Sequence, residues 1–166
     1  TVTAGNTGTE VSMSGSPYTV ATNATALGCS EGSCTLTFVA TDAAGNVNNS
    51  GTLGIMVDDT EPLAQNFSYY GGAATPGDQY FRETDTIWLN ISVYEANTIS
   101  TVIVNGQTMT NLAGTTYNYT GTVLSLCGAA DGTCQLNVTS TDQAGNINVT
   151  YTQITVDDVA PVINSI

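Results

Sequence analysis

The chain has 166 residues, a formal net charge of −13 and charged side chains at only 9% of its positions. Arg82 is its sole Lys or Arg, which excludes binding to nucleic acid phosphates, because that affinity comes from cationic side chains that release counterions. Anionic membrane surfaces are excluded likewise, and direct membrane insertion is not expected because no apolar run approaches the ~18 residues of a membrane-crossing helix. Cations are the partners that such a chain favours.

The first strong strand signal begins at Cys34. Apolar side chains at Leu36 and Phe38 alternate with threonines, which is the period of a half-buried strand. An Ala-Gly-Asn turn at 44–46 and a second alternating strand that ends at Val57 follow it. These features predict two strands separated by a turn.

Further strand signals follow from Pro62 onward, and they are short and rich in Val, Ile, Thr and Tyr. No window of comparable length has a helical period, so the sequence predicts an all-β fold. The predicted strands are 63–70, 86–94, 99–105, 116–125, 134–141 and 148–156.

The chain repeats itself at an interval of about 100 residues, which is the size of one β-sandwich. CTLTFVATDAAGN from Cys34 matches CQLNVTSTDQAGN from Cys134, and VDDTEP from Val57 matches VDDVAP from Val156. Such a period indicates repeated domains.

Three parts follow from this repeat. Residues 1–60 are predicted to be a domain that lacks its first strands, and 61–158 a complete domain. Residues 159–166 are predicted to be the first strand of a following domain or a strand donated to another chain. The strands missing from the first part favour a slice of a longer array over strand donation.

The TDxAGN motifs at 41–46 and 141–146, each followed by an alternating strand and then by VD and a proline, carry a family resemblance. The chain resembles the immunoglobulin-like repeats of bacterial and archaeal cell-surface proteins, as found in adhesins and envelope layers. The resemblance covers nearly all of both repeats. It implies tandem immunoglobulin-like β-sandwiches of about 100 residues each, an extracellular location and calcium between domains. The doubled aspartate and the paired cysteines depart from the usual pattern.

Adjacent aspartates end both repeats. In an immunoglobulin-type sandwich the last strand ends beside the next domain, so VDDTEP would face the loops at 95–98 and 141–146. Carboxylates gathered there would repel each other unless a cation neutralised them, and hard oxygen ligands suit Ca²⁺. The alternative is that Asp42 and Asp142 close turns and that the paired aspartates are solvated. The candidate metal ligands are Asp58, Asp59, Glu61, Glu95, Asp142, Asp157 and Asp158.

Four cysteines form two local pairs, Cys29 with Cys34 and Cys127 with Cys134. The chain has no His and no CxxC spacing, which argues against a zinc ribbon. The pairs predict two disulfides in an oxidising compartment, with reduced thiols as the alternative.

Seven Asn-X-Ser/Thr triplets are acceptors for N-linked glycans. We expect at least three to be glycosylated, because sugars would then cover the charge-poor surface. Strand alternation points Asn90 and Asn137 outward, and also Asn118 if its two tyrosine neighbours face inward. The alternative is that Asn and Thr are simply the polar residues of this chain. The combination of sequons with absent lysine favours an archaeal envelope protein. The acceptors are Asn23, Asn48, Asn66, Asn90, Asn118, Asn137 and Asn148.

No catalytic site is predicted. The acids lie at predicted domain ends, the chain has no His to act as a base, and no phosphate-binding loop follows a strand. We predict an extracellular structural module of a self-associating cell-surface assembly, such as a surface layer, sheath or filament. The alternative is an adhesin stalk, or an adhesin domain that binds a carbohydrate or protein through Trp88, Tyr94, Tyr69 and Tyr70.

Overall fold

The computed structural model describes residues 1–6, 8–71, 80–129 and 131–164. Most of these residues form β-strands, and the chain divides into two compact units, Thr1–Thr60 and Glu61–Ile166. The fold is all-β, as the alternating apolar pattern predicts.

The first unit is a single antiparallel sheet of four strands in the order β2-β1-β3-β4. A 3₁₀ helix at Thr25–Leu27 precedes β3, and a small core of Cys29, Cys34, Leu36 and Val57 lies against it. The strands are β1 (Val2–Gly5), β2 (Val11–Met13), β3 (Gly32–Thr41) and β4 (Val47–Val57).

The second unit has two sheets, and buried side chains from both form one core cluster. The elements are β5 (Leu63–Gly71), β6 (Tyr80–Phe81), β7 (Thr86–Tyr94), β8 (Ile99–Val104), β9 (Gln107–Thr108), β10 (Thr110–Ala113), β11 (Thr116–Thr122), α1 (Val123–Cys127), β12 (Gly132–Asp142) and β13 (Ile147–Val156). One sheet has the order β10-β11-β7-β5, and the other has the order β6-β13-β12-β8-β9. The β6 and β13 strands pair in parallel, and the remaining neighbours are antiparallel.

The centre of this core follows the predicted alternation. In β7, Ile87, Leu89 and Ile91 are at most 1% exposed, while the residues between them point to the other face. Full burial of such a side chain contributes roughly 1.5–3 kcal/mol. Leu136 and Val138 of β12 are fully buried in the same cluster.

Three features differ from the sequence prediction. The strand predicted at 116–125 ends at Thr122, where the Thr122 hydroxyl accepts a hydrogen bond from the Ser125 amide and caps α1. Val123 and Leu126 are buried by this short helix, and a five-residue segment is too short for a helical period to be visible in the sequence. The prediction also placed no strands where the short strands β2, β6, β9 and β10 lie.

The C-terminal segment has no strand in its described part. Residues 159–164 have no regular structure, and 165–166 lie outside the described residues. The assignment of 159–166 to a following domain or to a donated strand therefore stays a prediction.

Candidate functional site

Two hairpins, β3–β4 and β12–β13, pair corresponding residues at both ends, although β3–β4 has a register shift between Phe38 and Ala40 that β12–β13 lacks. Gly32 lies opposite Val57 in the first hairpin, and Gly132 lies opposite Val156 in the second. The strand beside each hairpin also corresponds, because β1 pairs with β3 as β8 pairs with β12. The positions that match in sequence thus occupy matching positions in the two sheets.

Each hairpin is closed by an aspartate. One carboxylate oxygen of Asp42 accepts the Asn46 backbone amide at 2.9 Å, and its other oxygen accepts the Asn46 side-chain amide at 2.8 Å. Asp142 makes the same two contacts with Asn146, both at 2.9 Å. The turn places Gly145 at φ 96°, a left-handed conformation that favours glycine. Both aspartates therefore act as turn closures.

These contacts lower both pKa values. For Asp42 the main cause is the hydrogen bond from the Asn46 side chain, and backbone amides add to it. Burial raises the pKa of Asp142, but the hydrogen bonds from Asn146, Gly145 and Ala144 outweigh it, so this pKa is also lowered. Hydrogen bonds to the charged form stabilise the carboxylate.

The second aspartate of each doubled pair is held by an acid from the neighbouring strand end. The Asp59 amide donates to the Glu31 carboxylate at 2.6 Å, and the Asp158 amide donates to the Asp131 carboxylate at 2.8 Å. Sequence reasoning missed both partner acids. Their signal is the matching pattern acid-Gly-x-Cys at 31–34 and 131–134.

The first aspartate of each pair closes a local turn. An Asp58 oxygen accepts the Thr60 amide at 3.3 Å, and an Asp157 oxygen accepts the Val159 amide at 3.0 Å. An Asp158 oxygen also accepts the Glu83 amide at 3.2 Å. The doubled aspartates thus organise the chain at the end of β4 and of β13.

The remaining metal candidates lie in the second unit. One Glu95 oxygen accepts the Asn97 amide at 3.2 Å, and the other oxygen is buried without a hydrogen-bond partner. Glu95 lines an open cavity of about 430 Å³ together with Asn97, Asn111 and Tyr117. Glu61 accepts a long hydrogen bond of 3.4 Å from a side-chain amide of β13.

The proposed metal cluster joins residues of both units. Asp58 and Asp59 belong to the first unit, and the other candidates belong to the second. Within the described residues of either unit, no group of three or more His, Cys, Asp or Glu side chains is placed to hold a metal ion. The grouping of these acids around calcium stays a prediction.

Both predicted disulfides are formed. The Cα atoms of Cys29 and Cys34 are 5.7 Å apart, and those of Cys127 and Cys134 are 5.6 Å apart, within the usual range for this bond. Two disulfides fit an oxidising compartment. In the described part of the chain, no helix has the length and apolar character needed to cross a membrane.

The seven sequon asparagines lie in different settings. Asn137 points outward from β12, while Asn90 and Asn118 lie opposite each other on the outer face of the other sheet. The outward prediction for these three is confirmed, although Asn90 and Asn118 are only half-exposed. Of the other four, Asn23, Asn48 and Asn66 are exposed and Asn148 is half-buried.

The candidate aromatic residues are divided between two faces. Tyr70 and Trp88 stack on the outer face, with ring centroids 5.5 Å apart and planes inclined by 9°. Tyr94 is 43% exposed. Tyr69 instead packs against the core and meets Phe81 edge to face at 6.4 Å, so the expectation that it is an exposed ligand contact is wrong. It points inward because it pairs with the buried Leu89.

No known protein family matches the chain, and no curated protein matches it.

Proposed function

We propose that the chain is an extracellular structural module made of immunoglobulin-like domains, part of a cell-surface assembly such as a surface layer, sheath or filament. The observation that carries this proposal is that the hairpins β3–β4 and β12–β13 pair corresponding residues at both ends. Two units that repeat one hairpin, one flanking strand and one closing aspartate are expected of an array of similar domains.

The strand order supports the immunoglobulin-like part of the proposal. With β5 as strand A, β7 as B and β11 as E, the sheet β10-β11-β7-β5 has the order D-E-B-A. The other sheet places β8, β12 and β13 as strands C, F and G. An immunoglobulin sandwich divides its strands between two sheets in the same way, which supports the proposal. In the first unit, β1, β3 and β4 correspond to C, F and G.

The chemistry of the chain supports a structural role over a catalytic one. The hairpin aspartates and the paired aspartates serve as acceptors for backbone amides at turns and strand ends. The proposal therefore assigns no reaction to them. Disulfides and glycans would stabilise the domains in an envelope, and sequons without lysine favour an archaeal one.

Calcium is part of the proposal. Arg82 pairs with Asp85 at 3.1 Å, and the chain offers no second Lys or Arg for its other acids. The buried oxygen of Glu95 has no hydrogen-bond partner, which makes it a candidate ligand. Oxygen ligands of this kind suit Ca²⁺.

Self-association tests the proposal. The full 166-residue chain, secreted from a host that performs N-glycosylation, is examined by electron microscopy and sedimentation with calcium and with chelator. We expect ordered assemblies that dissolve when calcium is removed. Assemblies that persist in chelator would refute the calcium role alone, and a monomer under every condition would contradict the assembly role.

The second candidate is an adhesin stalk or binding domain. The exposed Tyr94 and the stacked pair Tyr70 and Trp88 favour it, because aromatic rings bind carbohydrates and protein surfaces. A monomer that binds a glycan array would support this candidate over the structural module.

A further inference from the structure

The outer face of the sheet β10-β11-β7-β5 brings its aromatic pair next to two glycan acceptors. Trp88 lies opposite Tyr70 on one side and Thr120 on the other. In the next outward row of the same strands, Asn90 lies opposite Asn118. Side chains two positions apart on a strand share a face and lie about 7 Å apart. Trp88 and Asn90 are therefore direct neighbours on one surface.

The two acceptors differ in the hydrogen bonds that their side-chain amide nitrogens donate. The Asn118 Nδ2 donates to the Asn90 Oδ1 at 2.8 Å and to the Leu89 carbonyl at 3.4 Å. The Thr120 hydroxyl donates to the Asn118 Oδ1 at 3.0 Å, which fixes the amide in this orientation. Within the described residues, the Asn90 Nδ2 donates to no protein group. A glycan bond at Asn90 thus leaves the network intact, whereas one at Asn118 disturbs it.

Space on this surface also favours one glycan over two. Directly opposed residues of an antiparallel pair have Cβ atoms about 4.5–5.5 Å apart. Branched sugars attached to Asn90 and to Asn118 would occupy the same volume. The hydrogen-bond pattern then decides in favour of Asn90.

We propose that Asn90 carries the glycan of this face and that its first sugars lie over the aromatic pair Tyr70 and Trp88. This inference rests on the proposed glycosylation of the chain and names its site and its binding surface. The ligand class is an N-linked core of hexose or N-acetylhexosamine units.

The aromatic pair offers an exposed ring surface to which the sugar rings of such a core can bind. Tyr70 is 42% exposed, so part of its ring is open to solvent. The face of an aromatic ring carries negative charge density, and the C–H groups on one side of a sugar ring are weakly positive, so the two surfaces attract. The attraction is weak, but a glycan tethered at Asn90 has an effective concentration in the millimolar range. At this effective concentration, even a weak contact is enough to hold the sugars over the aromatic pair.

The experiment uses the chain's single Trp as its reporter, since Trp88 is the only one. Ser92→Ala removes the Asn90 acceptor triplet and leaves Asn90 and its contact with Asn118 in place. The full chain and this variant are secreted from a host that performs N-glycosylation. Glycopeptide mass mapping then gives the occupancy of each acceptor, and acrylamide quenching gives the exposure of Trp88.

We expect Asn90 to be occupied and Asn118 to be empty in most molecules. Loss of the Asn90 glycan in Ser92→Ala should red-shift the Trp88 emission and raise its quenching constant about twofold. Asn137→Gln is the matched control, because it removes a glycan from the other sheet and should leave both signals unchanged. In a variant that also carries Tyr70→Leu, Ser92→Ala should change the Trp88 emission and quenching less.

The outcomes separate this inference from the proposed function. Glycans at other acceptors with none at Asn90 would overturn the inference and leave the glycosylated module standing. An occupied Asn90 with unchanged Trp88 emission in Ser92→Ala would overturn the contact with the aromatic pair. No glycan at any acceptor would overturn both. Circular dichroism of each variant confirms that the substitutions on this exposed face preserve the fold.

Discussion

Asp142 shows how one residue combines burial with a charge. It is 2% exposed, and its carboxylate is held by the backbone and side chain of Asn146. Burial alone would favour the neutral acid, but the hydrogen bonds to the charged form prevail and its pKa is lowered. Asp42 is exposed, and its pKa is also lowered, chiefly by the hydrogen bond from the Asn46 side chain.

The lowered pKa gives a prediction for acid stability. Because the folded pKa lies below the unfolded value of about 3.9, the Asp142 carboxylate stabilises the fold fully above that pH. The contribution is lost as the pH falls through the folded pKa. We expect Asp142→Asn to lower the unfolding temperature of the second unit by about 5 °C at pH 7, and by less at pH 3.

Trp88 fluorescence follows this unfolding, because the chain's only Trp lies in the second unit. Asp85→Asn serves as a comparison outside the turn. An equal loss of stability for Asp142→Asn at pH 7 and at pH 3 would contradict the role of the charge.

Asn105 is a second residue whose side chain joins distant segments of the chain. Its φ is 44°, and its side chain donates to the carbonyls of Leu126 and Gln135 and accepts from the Asn137 amide, at 2.8–2.9 Å. The Asn-Gly pair predicts the hairpin turn between β8 and β9. The three bridging hydrogen bonds are invisible in the sequence, since they join segments more than 20 positions away.

Two substitutions of Asn105 distinguish the contribution of its backbone conformation to stability from that of its side-chain hydrogen bonds. Asn105→Gly keeps the left-handed φ and loses the hydrogen bonds, which should cost about 1–2 kcal/mol in free energy of unfolding. Asn105→Ala loses the same hydrogen bonds and also disfavours the left-handed φ, so it should cost roughly 1 kcal/mol more. Urea denaturation followed by Trp88 fluorescence measures both variants. Equal losses would mean that the left-handed conformation costs nothing here.

At the scale of elements, the alternating patterns predict the strands and the inward side chains of β7, β12 and β13. They do so because a strand with one buried face must place apolar residues at every second position. The patterns fail at α1, where the cap at Thr122 and the burial of Val123 decide the structure. They also fail at β9 and β10, whose lengths are too short for a visible period.

The candidate site, like the strands, is predicted by the sequence only in part. The sequence offers turn closure by Asp42 and Asp142 only as the alternative to metal binding, whereas it predicts both cysteine pairs from their spacing. It does not predict that Glu31 and Asp131 hold the ends of the paired strands, because those contacts depend on strand pairing between distant segments. The inward direction of Tyr69 also depends on pairing, namely on its register with Leu89.

The disulfide between Cys127 and Cys134 links the end of α1 to β12, so it should stabilise the second unit. For a loop of this length, the chain-entropy estimate is about 2 kcal/mol. We expect the paired substitution Cys127→Ser and Cys134→Ser to lower the free energy of unfolding by that amount. The measurement is urea denaturation followed by Trp88 fluorescence.

The other cysteine pair supplies the comparison. The double substitution Cys29→Ser and Cys34→Ser removes the disulfide of the first unit. It should shift the unfolding transition of Trp88 less than the loss of the Cys127 disulfide does. A larger shift from this pair than from the Cys127 pair would contradict the assignment.

The whole molecule is dominated by its charge. A net charge of −13 on 166 residues disfavours the compact state through self-repulsion, and the sole Arg is already paired. Bound divalent cations would relieve this repulsion far more than monovalent salt, if specific oxygen sites bind them.

Calcium should therefore raise the unfolding temperature more than sodium chloride at equal ionic strength. Calcium at about 100 times its dissociation constant stabilises a one-site protein by about 2.7 kcal/mol, and chelator should reverse the effect. Magnesium is the control cation, because it demands a smaller octahedral site. Glu95→Gln should reduce the calcium effect. Equal effects of calcium and sodium chloride would count against a specific site.

The turn after β6 has a consequence for the resistance of the protein to proteases. Trypsin-like proteases cleave after Lys or Arg, so the bond between Arg82 and Glu83 is the single target in this chain. The Arg82 carbonyl accepts the Asp85 amide at 3.0 Å, and the Glu83 amide donates to Asp158 at 3.2 Å. Both polar groups of the scissile bond are thus engaged, and a protease must first open this turn. The native chain should resist such digestion, and its cleavage rate should report the opening of the second unit.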